Sequence, residues 1–486
     1  MSNPALRARR HAGPPRRIVY LLPIAALVLA PAAMASHPAG LYTKTDQVAT
    51  MDDGVGIATT LYVPFEHAPH AGRFPAVMLF HGLGGNRQSI DQIATLFAQR
   101  GYIALTSDFR GHGESSGLFS GLGARELLDV ARLRESWLPA NAPLDGDKVG
   151  GWGISLGGGA ALRAAGEGTP FKALEVVETW TDLYEALVPQ DLPKSGAIFQ
   201  FLGAVPSSRQ APELLALQGA VARRDVPTLR AFALARSSRQ LLSRGYPPTL
   251  FFQGRRDFAF GLEQGIAGWQ RHSGPKALYI GPFGHAPSKF PGPDYELVAQ
   301  RALQWFDVHV AGAADMPNRP AVELASESGT SVQRYAGLPP TARHVYSLRG
   351  SATISASGKV VRRTRTPRLL ETFGAPTVQV RASSTTGWSH LIAVLVARTP
   401  SGREIVVSEG GVPTSLTAKP KLFTIRLISQ ATRIPAGSRL ELILAGTSTA
   451  QNPGNLLYLV PVPQRARITV RNVTLTIPAL RTPVSR

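Results

Sequence analysis

The sequence predicts an α/β domain, with a parallel sheet covered on both faces, followed by a separate all-β sandwich. Three observations carry this expectation. Short apolar runs alternate with helical patterns from about residue 41 to 314. Residues 183–245 interrupt that rhythm with helical periods alone. After about residue 318 the pattern becomes period-two alternation punctuated by turn residues. A chain of 486 residues, 44% hydrophobic and 17% charged, has the length for two or three domains and ample material for their cores.

The elements follow in order. Arg7, Arg9, Arg10, Arg16 and Arg17 precede an apolar run over 18–30, and Ala33 and Ala35 then form a small-residue cleavage pattern. Charged, apolar, small is the layout of a signal peptide, here 1–35, with an uncleaved membrane anchor as the alternative. The expected location is therefore exported: periplasmic, extracellular or cell-surface. The Arg16-Arg17 pair hints at twin-arginine export, and ordinary secretion fits as well. The chain has no cysteine, which excludes a lipidated cysteine, disulfides, a thiol nucleophile and zinc-thiolate sites. The net charge is +20, of which the five arginines of the leader supply 5. Basic residues are scattered without a block of five, which reads as solvated charge and not as a nucleic-acid face.

In the catalytic domain expected over 41–316, strands are predicted at 75–80, 103–108, 148–152, 174–179, 249–253 and 277–281, with helices at 89–100, 124–137 and 295–309. Residues 183–245, between two strands, are expected to lie over the carboxyl ends of the sheet as a helical lid. In the β domain expected over 330–486, residues 390–408 read as two strands around Pro-Ser-Gly. Strands at 422–427 and 438–444 flank Pro-Ala-Gly, and 468–477 is a last strand.

Residues 150–158 read G-G-W-G-I-S-L-G-G. Gly153-Ile154-Ser155-Leu156-Gly157 is G-x-S-x-G between a predicted strand and a helix, the setting of a nucleophile elbow. The serine backbone there is strained, so its hydroxyl projects, and side chains two residues away on either side would clash. A serine needs a base. Asp257 in R-R-D-F and His285 in F-G-H-A follow the next strands in the order serine, acid, histidine. His285 is expected to take the serine proton while Asp257 orients it. The oxyanion donors are expected to be the backbone N–H groups of Leu156 and of Leu83 in F-H-G-L-G-G. His81 and Gly82 of that loop, with Asp108 and Arg110 of D-F-R-G-H-G-E-S, are expected to support the site, the latter two by pairing or by bonding loop backbone. His112 is a rival base that precedes the serine. The chain has no dinucleotide fingerprint, P-loop or H-E-x-x-H, and no metal or cofactor is expected.

With these residues in place, the chain resembles the cocaine esterase and X-prolyl dipeptidyl-peptidase family of α/β-hydrolases. M-D-D-G-V-G-I-A-T-T-L-Y-V-P (51–64), F-H-G-L-G-G, D-F-R-G-H-G-E-S, G-W-G-I-S-L-G-G, R-R-D-F and F-G-H-A occur in family order. I-P-A-G-S-R-L-E-L-I-L (434–444) is similar to a strand of the family's jelly-roll domain. The resemblance implies an α/β-hydrolase fold with a helical lid, then a jelly roll, with Ser155, Asp257 and His285 in the family's catalytic places. Two departures stand out. Leu156 follows the nucleophile where tyrosine is frequent, and H-G-L-G replaces an oxyanion tyrosine, which implies a backbone-only hole. The lid carries Arg209, Arg223, Arg224, Arg230, Arg236, Arg239 and Arg244 against few acids, which favours an ester or acyl substrate, with a negatively charged one as an option; arginines that simply face solvent are the leading alternative to that charge reading.

The expected function is an exported serine hydrolase cleaving carboxylic esters, with an X-Pro dipeptidyl-peptidase or other amide hydrolase as the alternative. A contrasting class is a cell-surface binding protein with an inert hydrolase domain. The expected partners are a small ester or short peptide, with no nucleic acid, and with a membrane only if the leader stays attached. Activity is expected to rise at roughly pH 6 to 7 as His285 loses its proton.

Overall fold

A computed structural model describes residues 41–65, 72–314 and 320–484, so the segment read as a signal peptide lies outside the described residues. The first domain is built on ten strands: β1 Tyr42–Thr50, β2 Gly56–Pro64, β3 Phe74–Phe80, β4 Ile103–Ser107, β5 Leu144–Ile154, β6 Leu174–Val177, β7 Thr249–Gly254, β8 Lys276–Gly281, β9 Val322–Ala325 and β10 Val332–Tyr335. Their order across the sheet is β1-β2-β4-β3-β5-β6-β7-β8-β9-β10. The run from β4 to β9 is parallel.

Two expectations change here. The sheet is mixed, because β1–β2, β2–β4 and β9–β10 pair antiparallel. The β1–β2 and β9–β10 links span only 51–55 and 326–331, too short for the crossover that parallel pairing demands. The sheet also runs past 316 to Tyr335, and the sandwich begins at Thr341. β9 and β10 are four residues each, the shortest run over which a period can be read.

Alternate residues of β3 show why the sheet is covered on both sides. Ala76, Met78 and Phe80 join the core on one face, and Val77 and Leu79 join the core on the other. Both faces buried is the condition under which a central strand reads as a continuous apolar run.

Between β6 and β7 the chain is helical, with Leu183–Leu187, Ser195–Leu202, Pro212–Arg223 and Val226–Leu234 as its main helices. Its Ala204 lies against Gly84, where a Cβ would come within 3.1 Å of the Ala204 carbonyl oxygen. This packs the insertion onto the loop after β3.

The second domain contains β11 Thr341–Ser355, β12 Lys359–Arg365, β13 Leu370–Glu371, β14 Thr377–Ser383, β15 His390–Arg398, β16 Glu404–Pro413, β17 Lys421–Arg426, β18 Arg433–Ile434, β19 Arg439–Ala445 and β20 Arg467–Leu480. Two antiparallel four-stranded sheets, β11-β20-β14-β17 and β12-β19-β15-β16, face each other across an apolar core, and β13 pairs with β18. Inward Val378, Val380 and Ala382 meet Leu391, Ala393 and Leu395 there.

The domains are joined by buried polar contacts. Arg255 after β7 forms an ion pair with Glu371 of β13, both 1% exposed. The Leu459 N–H donates to Ser195 Oγ at 2.9 Å, tying the insertion to the sandwich. Among the described residues no helix is long and apolar enough to cross a membrane.

Candidate active site

Ser155 sits where β5 turns into the helix Leu156–Gly166. Its φ of 53° and ψ of −113° put it in a region that side chains avoid. The turn is held by its neighbours. The Ser155 N–H donates to the Val177 carbonyl oxygen at 2.8 Å, and Thr179 Oγ1 donates to the Ser155 carbonyl oxygen at 2.7 Å. The flanking glycines are steric necessities. A Cβ on Gly153 would stand 2.2 Å from the Gly157 carbonyl oxygen, and one on Gly157 would stand 2.0 Å from that of Phe80.

His285, after β8, points its Nε2 at Ser155 Oγ across 2.9 Å. Its Nδ1 lies 2.7 Å from Asp257 Oδ2. Asp257, after β7, is fully buried, and its oxygens are saturated. Oδ1 accepts the N–H groups of Ala259 and Phe260, and Oδ2 also accepts the His285 N–H at 3.1 Å. With that carboxylate on Nδ1, the proton resides on Nδ1 and the Nε2 lone pair faces the serine hydroxyl. Phe260 stands edge-on to the imidazole at 5.0 Å, and Phe201 of the helical insertion lies 6.2 Å away. The three residues named from sequence thus form one hydrogen-bonded line over the carboxyl ends of the sheet.

Glu178 was missed by sequence reasoning. It follows β6, is 4% exposed and has a φ of 41°. An oxygen of Glu178 lies within 4.8 Å of donor atoms of Asp257 and His285. Its Oε2 has no hydrogen-bond partner. Burial pushes its pKa up to about 8. The reading of 174–179 as continuous strand hid it; an acid ending an apolar strand that abuts the serine turn was the signal available. For His285, burial opposes the charged form, but the carboxylates of Asp257 and Glu178 outweigh it and raise the pKa to about 9. That moves the expected rise in activity above the 6-to-7 range read from sequence. Glu178, Asp257 and His285 are a donor set of metal-like spacing, yet a cation bound between Asp257 and His285 would have to displace the Nδ1 proton. The arrangement fits proton transfer better.

The loop after β3 lies against the serine. A Cβ on Gly82 would sit 3.8 Å from Ser155 Cβ, and Leu83 is half-buried beside it. Leu156 is the first residue of its helix, so its N–H has no intrahelical acceptor. His81 is fully buried and joins two loops: its Nδ1 donates to the Gly82 carbonyl oxygen at 2.7 Å and its Nε2 accepts the Phe109 N–H at 3.1 Å. Burial lowers its pKa to about 4, so it stays neutral.

Asp108 and Arg110 do not pair with each other. Asp108 accepts from the backbone N–H groups of Arg87 and Glu114 and from Arg87 Nη1. Arg110 clamps Asp53 and Asp129. His112 bonds the Arg110 carbonyl oxygen through Nδ1 and packs on Phe119, while His285 occupies the serine. Five of the seven lid arginines bond protein groups. Arg209 holds the Gly113 carbonyl oxygen, Arg224 holds Ser389 and Arg230 holds Asp191; Arg236 holds the Ser120 and Gly121 carbonyl oxygens, and Arg239 holds Glu185. The case for an anionic substrate drawn from them loses its support.

Behind the Asp257 loop, Lys194 Nζ donates to the carbonyl oxygens of Phe258 and Ala259 at 2.8 and 3.0 Å. Burial holds its pKa down at about 8. From the sandwich, Gln430 Nε2 donates to the Asp257 carbonyl oxygen at 2.8 Å. A cleft lined by Glu185, Lys194, Glu263, Arg426 and Tyr458 opens at this junction; Ser155 does not line it.

Residues 53–287 match the family described as X-Pro dipeptidyl-peptidase (S15 family). Over these residues, just under half of the chain, the sequence is similar to this family. The fold agrees over nearly the whole length. A CocE/NonD family hydrolase from Staphylococcus aureus superposes with a TM-score of 0.69 at 15% identity, covering 90% of this chain and 93% of that one. An alpha-amino acid ester hydrolase superposes with a TM-score of 0.66 at 14% identity, covering 94% and 100%. Among curated sequences, an uncharacterized 31.7 kDa protein of Escherichia coli is 32% identical over 124 residues, 24% of this chain. The chain covers 41% of that relative's length.

Proposed function

We propose that the protein is a serine hydrolase that cleaves carboxylic esters through an acyl-enzyme. The reading rests on the line Ser155 Oγ to His285 Nε2 at 2.9 Å and His285 Nδ1 to Asp257 at 2.7 Å. His285 takes the hydroxyl proton as Ser155 Oγ attacks the carbonyl carbon, and Asp257 steadies the imidazolium. The oxyanion is held by the N–H groups of Leu156 and Leu83. Collapse breaks the ester bond, and His285 passes its proton to the departing alkoxide. Water, deprotonated by His285, then attacks the acyl-serine; the acyl–Oγ bond breaks, His285 returns the proton to Ser155 Oγ, and the acid leaves. Ser155→Ala tests this: loss of p-nitrophenyl ester hydrolysis and of fluorophosphonate labelling is expected, and retained hydrolysis overturns it.

The family match supports a second reading, release of X-Pro dipeptides. Rates on an acetyl ester and an X-Pro anilide discriminate the two. We also propose that residues 1–35 direct export; secreted protein beginning at Ser36 is the expected result of N-terminal sequencing.

A further inference from the structure

The charge of this chain is divided very unequally. Residues 341–486 hold 20 Lys and Arg against four acids, a balance of +16, whereas residues 41–340 hold 27 against 28, a balance of −1. A general bias toward arginine would act on both domains alike, so the imbalance belongs to the sandwich. Its acids are also neutralised or hidden. Glu371 pairs with Arg255, Glu441 with Arg363, Arg398 and Arg439, and Glu404 with Arg398, while Glu409 is buried.

Part of the excess is displayed on one sheet face. In the sheet β11-β20-β14-β17, Val378, Val380 and Ala382 point into the core, so Gln379 and Arg381 point out. Register places Arg381 beside Arg471 and Leu422, and Arg471 beside Ser351. Arg343 stands toward one end of β11, and Arg467 begins β20 at the opposite end of the face. Thr353, Thr469, Thr474 and Thr476 lie between them, and no acid belongs to these four strands. Among the described residues, Arg343, Arg381, Arg467 and Arg471 are exposed and make no ion pair. Val345 and Leu422, 61% and 54% exposed, stand among them.

We propose that this face lies against an anionic lipid surface. The charges are spread in two dimensions and do not follow a groove, and no outward aromatic offers a stacking platform, so a plane fits better than a polymer strand. Arginines attract the negative headgroup layer, and the two apolar side chains meet its interfacial zone.

The test is sedimentation of the full chain with phosphatidylcholine vesicles, with and without phosphatidylglycerol. Binding is expected only with phosphatidylglycerol, and it weakens as salt is raised. R381Q/R471Q is expected to lose on the order of 10-fold or more in partitioning, and R343Q/R381Q/R467Q/R471Q on the order of 100-fold or more. R223Q/R244Q, the same charge change on the exposed surface of the lid, is expected to bind like the parent. All variants share the N-terminal segment, so differences report the face. Equal loss in both double variants, or binding independent of phosphatidylglycerol, overturns the proposal. So does binding to soluble polyglutamate that R381Q/R471Q abolishes while vesicles are ignored. An unchanged melting temperature shows that the variants fold.

Discussion

Two strand ends present carboxylates to the same imidazole, and the fold treats them differently. After β7, Asp257 is buried and accepts hydrogen bonds on both oxygens, including the short one from His285 Nδ1. After β6, Glu178 is buried with one oxygen unpartnered and its backbone at positive φ. Burial costs a carboxylate its hydration, and only donors replace it. The first site therefore offers donors to both carboxylate oxygens and can steady the imidazolium formed in the reaction, whereas burial leaves the second holding a proton at neutral pH. The loop of Asp257 is braced from two other parts of the chain, by Lys194 and by Gln430. Position alone does not assign the role of an acid; its donors do.

The comparison breaks hardest at Asp257. Asp257→Asn removes the anion and inverts the Nδ1 bond, and kcat is expected to fall about 10⁴-fold. A loss under about tenfold, measured with a saturating ester, would mean that Glu178 already serves as the orienting acid. Next is the pH profile of kcat/KM. His285 must be neutral to accept a proton, and its pKa is raised to about 9, so the rate should climb from pH 7 through about 9. A plateau reached by pH 7 would show that the two carboxylates do not act together on the ring.

Glu178→Gln is expected to change kcat little at pH 7, where the carboxyl is already protonated. Above about 8, where Glu178 ionises, it removes a charge that holds the proton on His285, so the rising limb moves to lower pH by up to about one unit. The same variant reads out in stability. A carboxyl whose folded pKa is raised to about 8 favours the fold below its unfolded pKa of 4.5 and loses that contribution as pH rises through 8. The melting temperature of Glu178→Gln should therefore decline less between pH 5 and 8 than that of the parent. Smallest is Gln430→Ala, which frees the Asp257 carbonyl oxygen. It should cost about 1 kcal/mol of stability and only several-fold in kcat. An unchanged kcat and melting temperature would assign the sandwich no part in bracing that loop.

Much of the site was legible because it is local. Ser155 lies in a turn whose glycines are demanded within five residues, and Asp257 and His285 each follow an apolar strand closely. The helical insertion was legible for the same reason, since helical periods need no distant partner. Short and edge elements were not. β9 and β10 take their form from pairing with β8 and with each other. Outward-facing β11 is largely exposed and lacks a buried stripe to read. Arg110 and Asp108 fell in one loop by sequence, but their partners, Asp53, Asp129 and Arg87, come from elsewhere in the chain.

From the order of its residues alone, this chain determined an alternating α/β domain, a strained serine turn, an acid and a histidine in sequence, and a basic, β-rich second half. These follow from periodicity and local sterics, which act over a few residues. Only the tertiary structure decided that Glu178 joins Asp257 at His285, that the sandwich touches the Asp257 loop, and that four arginines share one open face. Each depends on strands far apart in the chain being set side by side, where desolvation and charge act through space.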